Sequence, residues 1–168
     1  MAAGHETQGE RGHGPQRATC TVSVPSVSGC WEPIHTAHWD VVPSFGIYVH
    51  VPFCAARCGY CDFNTYTASE LAGSGASPDG WLEAVRRELE LAASRVGPRA
   101  VDTVFVGGGT PSLIGADRLG AVLAAIRATF GLAPGAEVTT EANPESTAPE
   151  FFAGLAAAGY TRVSLGMQ

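Results

Sequence analysis

Val101-Asp-Thr-Val-Phe-Val-Gly-Gly-Gly-Thr-Pro-Ser112 is a short apolar run that ends in glycines. A nearly continuous apolar run of this length reads as a strand buried in a parallel sheet. Gly107, Gly108 and Gly109 at its end let main-chain groups approach a neighbour or a ligand. Working outward, the same arrangement recurs. Upstream, Ile47, Val49 and Val51 alternate with Tyr48 and His50, the period of two expected of a strand. Pro52 ends that strand, and Cys54, Cys58 and Cys61 follow at once. Thr65 to Ala76 reads as a small-residue loop. Ser77-Pro78 then supplies an N-cap and a proline at the first helical position. Leu82, Val85, Leu89, Ala92 and Val96 recur at helical spacing, and Gly97-Pro98 stops the helix. Downstream, Leu119, Val122, Leu123, Ile126 and Phe130 mark a second helix that Gly131 ends. Val138 to Glu141 is a third strand. Pro149 to Ala158 is a third helix, packing through Phe151, Phe152 and Leu155, and Arg162 to Met167 is a fourth strand.

This order of four strands and three helices predicts an α/β fold with parallel strands and right-handed crossovers. Such units build an open doubly wound sheet or a (βα) barrel. No G-x-G-x-x-G follows the first strand, which weakens the dinucleotide-fold reading. In a barrel, the loops after the strands' C-terminal ends form the active site. Every unusual sequence lies at such an end. The cysteines follow the first strand and the glycines the second. Glu141-Ala-Asn-Pro144 follows the third, and Gln168 the fourth.

The 168 residues allow one medium domain. Residues 1–44, rich in Gly, Pro, Ser and Thr without periodicity, read as a disordered or loosely docked tail. Trp31, Ile34, Trp39, Val41 and Val42 could pin its last part to a core, and Cys20 and Cys30 read as stray thiols. Residues 45–168 carry the core domain. Acids outnumber bases 16 to 10, for a net charge of −6. That balance argues against a nucleic-acid partner or an anionic membrane surface. All the cations are Arg, a coding bias rather than a function. With 45% apolar and 15% charged residues the chain can bury a core. No run approaches the roughly 18 apolar residues of a membrane span, so no integral membrane segment is expected. The start of the chain lacks the apolar stretch of a secretory signal. An odd cysteine count, with three of the five crowded together, speaks against a secreted disulfide framework and for a cytoplasmic location.

Cys54-Ala-Ala-Arg-Cys58-Gly-Tyr-Cys61 spaces its thiols by four and three residues. Soft thiolates suit zinc or an iron–sulfur cluster. A structural zinc would want a fourth protein ligand. His50 and Asp62 are the nearest candidates, and neither continues a zinc spacing. Three cysteines without a fourth suit a 4Fe–4S cluster with one open iron that a small molecule can chelate. Gly59 lets the chain wrap closely and Tyr60 can pack beside the cluster. His50 reads as a satisfied core histidine, and Arg57 as an exposed loop cation. A small zinc-binding interaction module remains the alternative at this point.

The ordered set Tyr48-Val-His-Val-Pro-Phe-Cys54, Cys61-Asp-Phe-Asn64, Gly107-Gly-Gly-Thr-Pro-Ser112, Glu141-Ala-Asn-Pro144 and Val163-Ser-Leu-Gly-Met-Gln168 resembles the radical S-adenosylmethionine (SAM) superfamily. Within it, the set is similar to the oxygen-independent coproporphyrinogen III oxidase-like proteins. The resemblance covers about residues 46–168. It implies the N-terminal portion of a partial (βα) barrel. It implies that Cys54, Cys58 and Cys61 ligate three irons of a 4Fe–4S cluster, with SAM on the fourth. One electron would then cleave the sulfonium to a 5′-deoxyadenosyl radical, with the hard chemistry carried by the cofactor. Tyr48, Tyr60, Gly108, Gly109, Thr110, Glu141 and Gln168 match positions that contact SAM in the oxidase branch.

The oxidase branch usually has another Cys two residues past the third ligand, where this chain has Phe63. Cys61-Asp-Phe-Asn64 is the form of the heme chaperone branch. The resemblance therefore implies a carrier of heme to heme-accepting proteins, served by an electron donor such as a flavodoxin or ferredoxin. An enzyme that decarboxylates the propionates of coproporphyrinogen III is the alternative. The family fold needs more strand–helix units and a further domain. The chaperone branch's His-Asn-x-x-Tyr-Trp motif does not occur in the 168 residues. The expectation is an incomplete product, or else a half-barrel that pairs with a second copy, poorly soluble and inactive alone because its last strand has an open apolar edge.

Overall fold

The structure, a computed structural model, describes residues 44–167. The expected tail lies outside the described residues up to position 43. So do Cys20, Cys30, the tail's anchoring candidates Trp31, Ile34, Trp39, Val41 and Val42, and Gln168.

The main sheet has four parallel strands, β1 (Gly46–Val51), β4 (Val101–Gly108), β5 (Leu132–Ala142) and β6 (Arg162–Leu165), in that spatial order. Each strand lies beside the next of the sheet in the chain, and the order never reverses. A doubly wound sheet reverses at its switch point, whereas unidirectional addition is how a (βα) barrel grows. The crossovers are α2 (Pro78–Val96), α3 (Gly115–Thr129) and α4 (Pro149–Ala158). They pack side by side, α2 on α3 and α3 on α4.

Local chemistry sets their ends. Ser77 accepts the Gly80 N–H at 3.1 Å, Pro78 takes the first turn, and Gly97 turns the chain out at φ 74°. Gly159, at φ 101°, ends α4 in the left-handed region that glycine tolerates. Asp79 in the first turn of α2 pairs with Arg118 of α3 at 2.8 Å. That hydrogen bond holds the Asp79 carboxyl below its usual range.

Alternation along the strands divides the sheet into two faces. Val49, Val51, Val104, Val106 and Val138 join Leu82, Leu89, Leu119, Val122, Leu123, Ile126 and Leu155 in one core beneath the helices. Tyr160, just past α4, is buried there and donates its hydroxyl to the Leu119 carbonyl at 2.9 Å. Its burial raises the phenol strongly. Tyr48, His50, Phe105 and Glu141 take the opposite face, with Tyr48 stacked on Phe105 at 6.1 Å between centroids.

Several expectations need correction. The run Val101–Val106 is not covered on both faces, because Thr103 and Phe105 point away from the helices and stay exposed. Val96 and Phe152 are exposed rather than packed inward: Val96 is the last residue of α2, and Phe152 lies to one side of the stripe formed by Phe151 and Leu155. The segment from Thr65 to Ala76 is not simply a loop. It contains β3 (Tyr66–Thr67), which pairs in parallel with β2 (Phe53–Cys54), and the single helical turn α1 (Ala68–Leu71). Thr67 and Glu70 close a capping box on that turn. The third strand begins at Leu132 rather than Val138. Its register on β4 slips between Val101 and Thr103, where the chain detours through Pro134 and Gly135. Proline has no ladder donor and sits at such irregularities. The fourth strand ends at Leu165, two residues before Met167.

Candidate functional site

Three chain segments meet at the C-terminal ends of the strands. The first carries the cysteines. Cys54 closes β2, and the small β2–β3 sheet anchors it, helped by the Tyr66 N–H donating to the Pro52 carbonyl at 2.7 Å. Cys58 and Cys61 bracket a turn closed by the Cys61 N–H on the Cys58 carbonyl at 3.1 Å. All three thiols are free, with Cys58 exposed and the others half-buried. Tyr60 stands out from the turn at 75% exposure. Its phenol is raised, first by lost hydration and then by Cys58 and Cys61 close by.

Arg57 is the exposed loop cation expected, and it is also paired. It reaches back to donate to the Thr65 carbonyl at 2.8 Å and to Glu70 at 2.9 Å. The cysteine loop is thereby stapled to the β3–α1 segment. Hydrogen bonds from the Thr67 backbone and hydroxyl, then from Arg57, lower the Glu70 carboxyl.

The glycine segment comes second. The Gly109 N–H donates to the Val51 carbonyl and the Thr110 N–H to the Phe53 carbonyl, both at 2.7 Å. The loop is thus bonded to the chain leading into Cys54. A Cβ on Gly109 would stand 2.5 Å from the Phe53 carbonyl oxygen and 2.9 Å from Cys54 Sγ, so only glycine fits this approach. Thr110 Oγ1 lies 4.0 Å from the same sulfur.

The third segment brings Glu141, whose Oε2 accepts the Gly108 N–H at 3.1 Å. A Cβ on Gly107 would come within 2.8 Å of that oxygen. The glycine run therefore has two separate duties, room for Cys54 at Gly109 and room for Glu141 at Gly107.

Between the segments lies a cavity of about 640 Å³, in the size range of small-molecule sites. Cys54, Cys58, Cys61, Tyr60, Gly108, Gly109, Thr110 and Glu141 all line it. Of the expected site residues, Tyr48 alone among the described ones does not. It lies outside the cavity, 58% exposed, with its hydroxyl 3.1 Å from His50 Nδ1. Partial burial, then the nearby Glu141 charge, raise its phenol. Asn143, Ser146, Phe63 and Met167 also line the cavity and were not singled out as site residues from the sequence. Asn143 and Ser146 carry no spacing signal, since Ser112, which both of them bond, lies 31 and 34 residues away.

His50 is satisfied as expected, although half-buried rather than in the core. Its Nε2 lies 2.8 Å from the Asn64 carbonyl. A carbonyl only accepts, so Nε2 carries the proton and Nδ1 of the neutral ring accepts from Tyr48. Neither nitrogen is left for a zinc. Among the described residues no three His, Cys, Asp or Glu side chains stand close enough to hold one metal ion. The three thiols share a cavity rather than a point. Each thiolate of an iron–sulfur cube binds a different iron, so this donor set fits a cluster better than a mononuclear tetrahedral ion.

Comparison with known proteins agrees with this geometry. Residues 48–168 match the model of the Radical SAM superfamily. The chain is 66% identical over 124 residues to heme chaperone HemW of Mycobacterium tuberculosis (strain ATCC 25618 / H37Rv), covering 74% of this chain and 31% of that protein. It is 36% identical over 128 residues to heme chaperone HemW of Escherichia coli (strain K12), covering 76% of this chain and 32% of that protein. Among solved structures it is similar to coproporphyrinogen III oxidase (HemN) from Escherichia coli, a radical SAM enzyme. The TM-score is 0.65 at 27% identity, over 74% of this chain and 28% of that one. The chain spans about a third of the length of the curated relatives it matches. No helix among the described residues is long and apolar enough to cross a membrane. With the family model covering residues 48–168 and the strands adding in barrel order, the chain belongs to the radical SAM superfamily.

Proposed function

We propose that the chain is the cluster- and SAM-binding part of a heme chaperone. Cys54, Cys58 and Cys61 would hold a 4Fe–4S cluster, leaving one iron for the methionyl end of SAM. When bound, the cluster supplies an electron to the sulfonium of SAM. The protein's own residues bind, orient and exclude water. Glu141 offers a carboxylate that can exchange the Gly108 N–H for donors of the ligand, an ammonium or ribose hydroxyls. Gly108 and Gly109 present main chain at close range, and Thr110 adds a hydroxyl beside Cys54. Tyr60 stands at the rim of the cavity, placed to cover a cluster from solvent. Tyr48, within β1, and Gln168, outside the described residues, would complete the ligand contacts. Heme would be cargo, passed to heme-accepting proteins in the cytoplasm, with a flavodoxin or ferredoxin as electron donor.

The observation that carries the carrier reading is Phe63 in Cys61-Asp-Phe-Asn64, together with 66% identity to a protein named as a heme chaperone. The solved coproporphyrinogen III oxidase supports a second reading, oxidative decarboxylation of porphyrinogen propionates. Incubating the cluster-loaded protein with coproporphyrinogen III, SAM and reductant separates the two. The carrier reading expects no protoporphyrinogen and a stoichiometric heme complex. Turnover to protoporphyrinogen contradicts it.

A further inference from the structure

The loops after β4 and β5 are joined by a ring of hydrogen bonds that the ligand contacts do not include. After β4 the chain enters a 3₁₀ turn, Pro111–Ile114, and after β5 another, Pro144–Ser146. Ser112, only 4% exposed, lies in the first turn and Ser146 in the second. The Asn143 N–H donates to Ser112 Oγ at 3.0 Å. Ser146 Oγ stands 3.0 Å from the Asn143 carbonyl, and the two serine oxygens are 2.5 Å apart. A serine hydroxyl has one proton to give. The Asn143 carbonyl can only accept, so the Ser146 proton points there. The contact between the serines is then Ser112 donating to Ser146. The bonds run one way around a closed ring, from the Asn143 N–H through Ser112 and Ser146 to the Asn143 carbonyl. Bonds in such chains polarise and strengthen one another.

We propose that this ring is a latch that positions the SAM-binding loops, with Ser112 and Ser146 as positioning residues. The same two loops are bridged two residues before Asn143 and four before Ser112, by Glu141 on the Gly108 N–H. That bridge is lost when Glu141 turns to a ligand donor. The serine ring persists: Asn143 and Ser146 line the cavity, but Ser112, which joins them across the loops, is buried outside its lining, and neither ring bond to Ser112 involves Glu141 or Gly108. It keeps Gly108 and Glu141 at a fixed separation while the carboxylate changes partner. Preorganisation of this kind appears as ligand affinity rather than as cluster content.

The inference rests on the reading that Gly108 and Glu141 hold SAM, and the test separates the two. In the full chain with its cluster reconstituted, Ser112→Ala and Ser146→Ala keep the wild-type iron and sulfide content. Each weakens SAM binding about tenfold, read as the SAM concentration that half-converts the EPR signal of the reduced cluster. The double variant is no weaker than either single one, since one break opens the ring. Ser112→Thr, which retains the hydroxyl, restores binding. Wild-type affinity in both single variants overturns the latch alone. A wild-type cluster whose signal SAM does not alter overturns the SAM-site reading and the latch with it. If Ser112→Ala does not fold, Ser146→Ala decides by itself. Its side chain is partly exposed, and unchanged affinity there overturns the proposal.

Discussion

Arg57 sits between two of the candidate ligands, yet its side chain turns away from them and binds the Thr65 carbonyl and Glu70. An exposed pair of this kind adds little to global stability. Its effect is local, holding one side of a cysteine loop that has few other bonds. Arg57→Ala is therefore expected to leave the melting temperature nearly unchanged while lowering iron retained after reconstitution, measured by iron and sulfide assay. The staple also has a pH signature. Glu70 is depressed below the ordinary glutamate value of 4.5 in the folded chain. Its contribution is complete above that value and is lost as pH falls through the depressed one. Loop protection by hydrogen exchange should follow that acid limb in the wild type and be flat in Glu70→Gln. Gly109 makes a stricter demand. An added methyl would press on the Phe53 carbonyl and Cys54 Sγ. Overpacking of this sort costs about 1–3 kcal/mol, so Gly109→Ala should lower stability by that much in a denaturant melt and displace Cys54.

At the scale of elements, α3 is the keystone. It packs on both α2 and α4 and buries Leu119, Val122, Leu123 and Ile126 completely. Leu123→Ala is expected to cost about 2–5 kcal/mol, read by denaturant unfolding. Tyr160→Phe, losing only the hydroxyl on Leu119, should cost about 1 kcal/mol. These long elements were legible because their signals are local: Ser77-Pro78 and Gly97 around α2, apolar alternation in β1, Gly131 after α3. The missed elements have no such local signal. β2 and β3 pair over two residues each, and α1 is one turn whose box of Thr67 and Glu70 is too short to stand out from a loop. The first half of β5 is hidden by Pro134 and Gly135, which read as breakers although the strand resumes its pairing beyond them. The site followed the same division. Cys54, Cys58, Cys61 and the glycines are contiguous in sequence, so spacing exposed them. Arg57 with Glu70, and Ser112 with Ser146, are pairs 13 and 34 residues apart that only the folded chain brings together.

For the whole molecule, parallel addition of β1, β4, β5 and β6 gathers the cysteine, glycine and Glu141 segments at one end of the sheet and puts the helical core on one face. The fold is thus a platform that brings soft thiols, close-lying main chain and the Glu141 carboxylate around one cavity. On the proposed reading, Cys54, Cys58 and Cys61 suffice to hold a cube with one iron left for SAM. Iron and sulfide analysis with EPR after anaerobic reconstitution of single cysteine variants tests it most directly. Cys54→Ala, Cys58→Ala and Cys61→Ala are each expected to abolish the 4Fe–4S signal. Cys20→Ala and Cys30→Ala keep it, and SAM shifts it. A cluster that survives loss of one of the three, or that needs Cys20 or Cys30 as a fourth ligand and ignores SAM, would mean that these three thiols do not make an open SAM-binding cube.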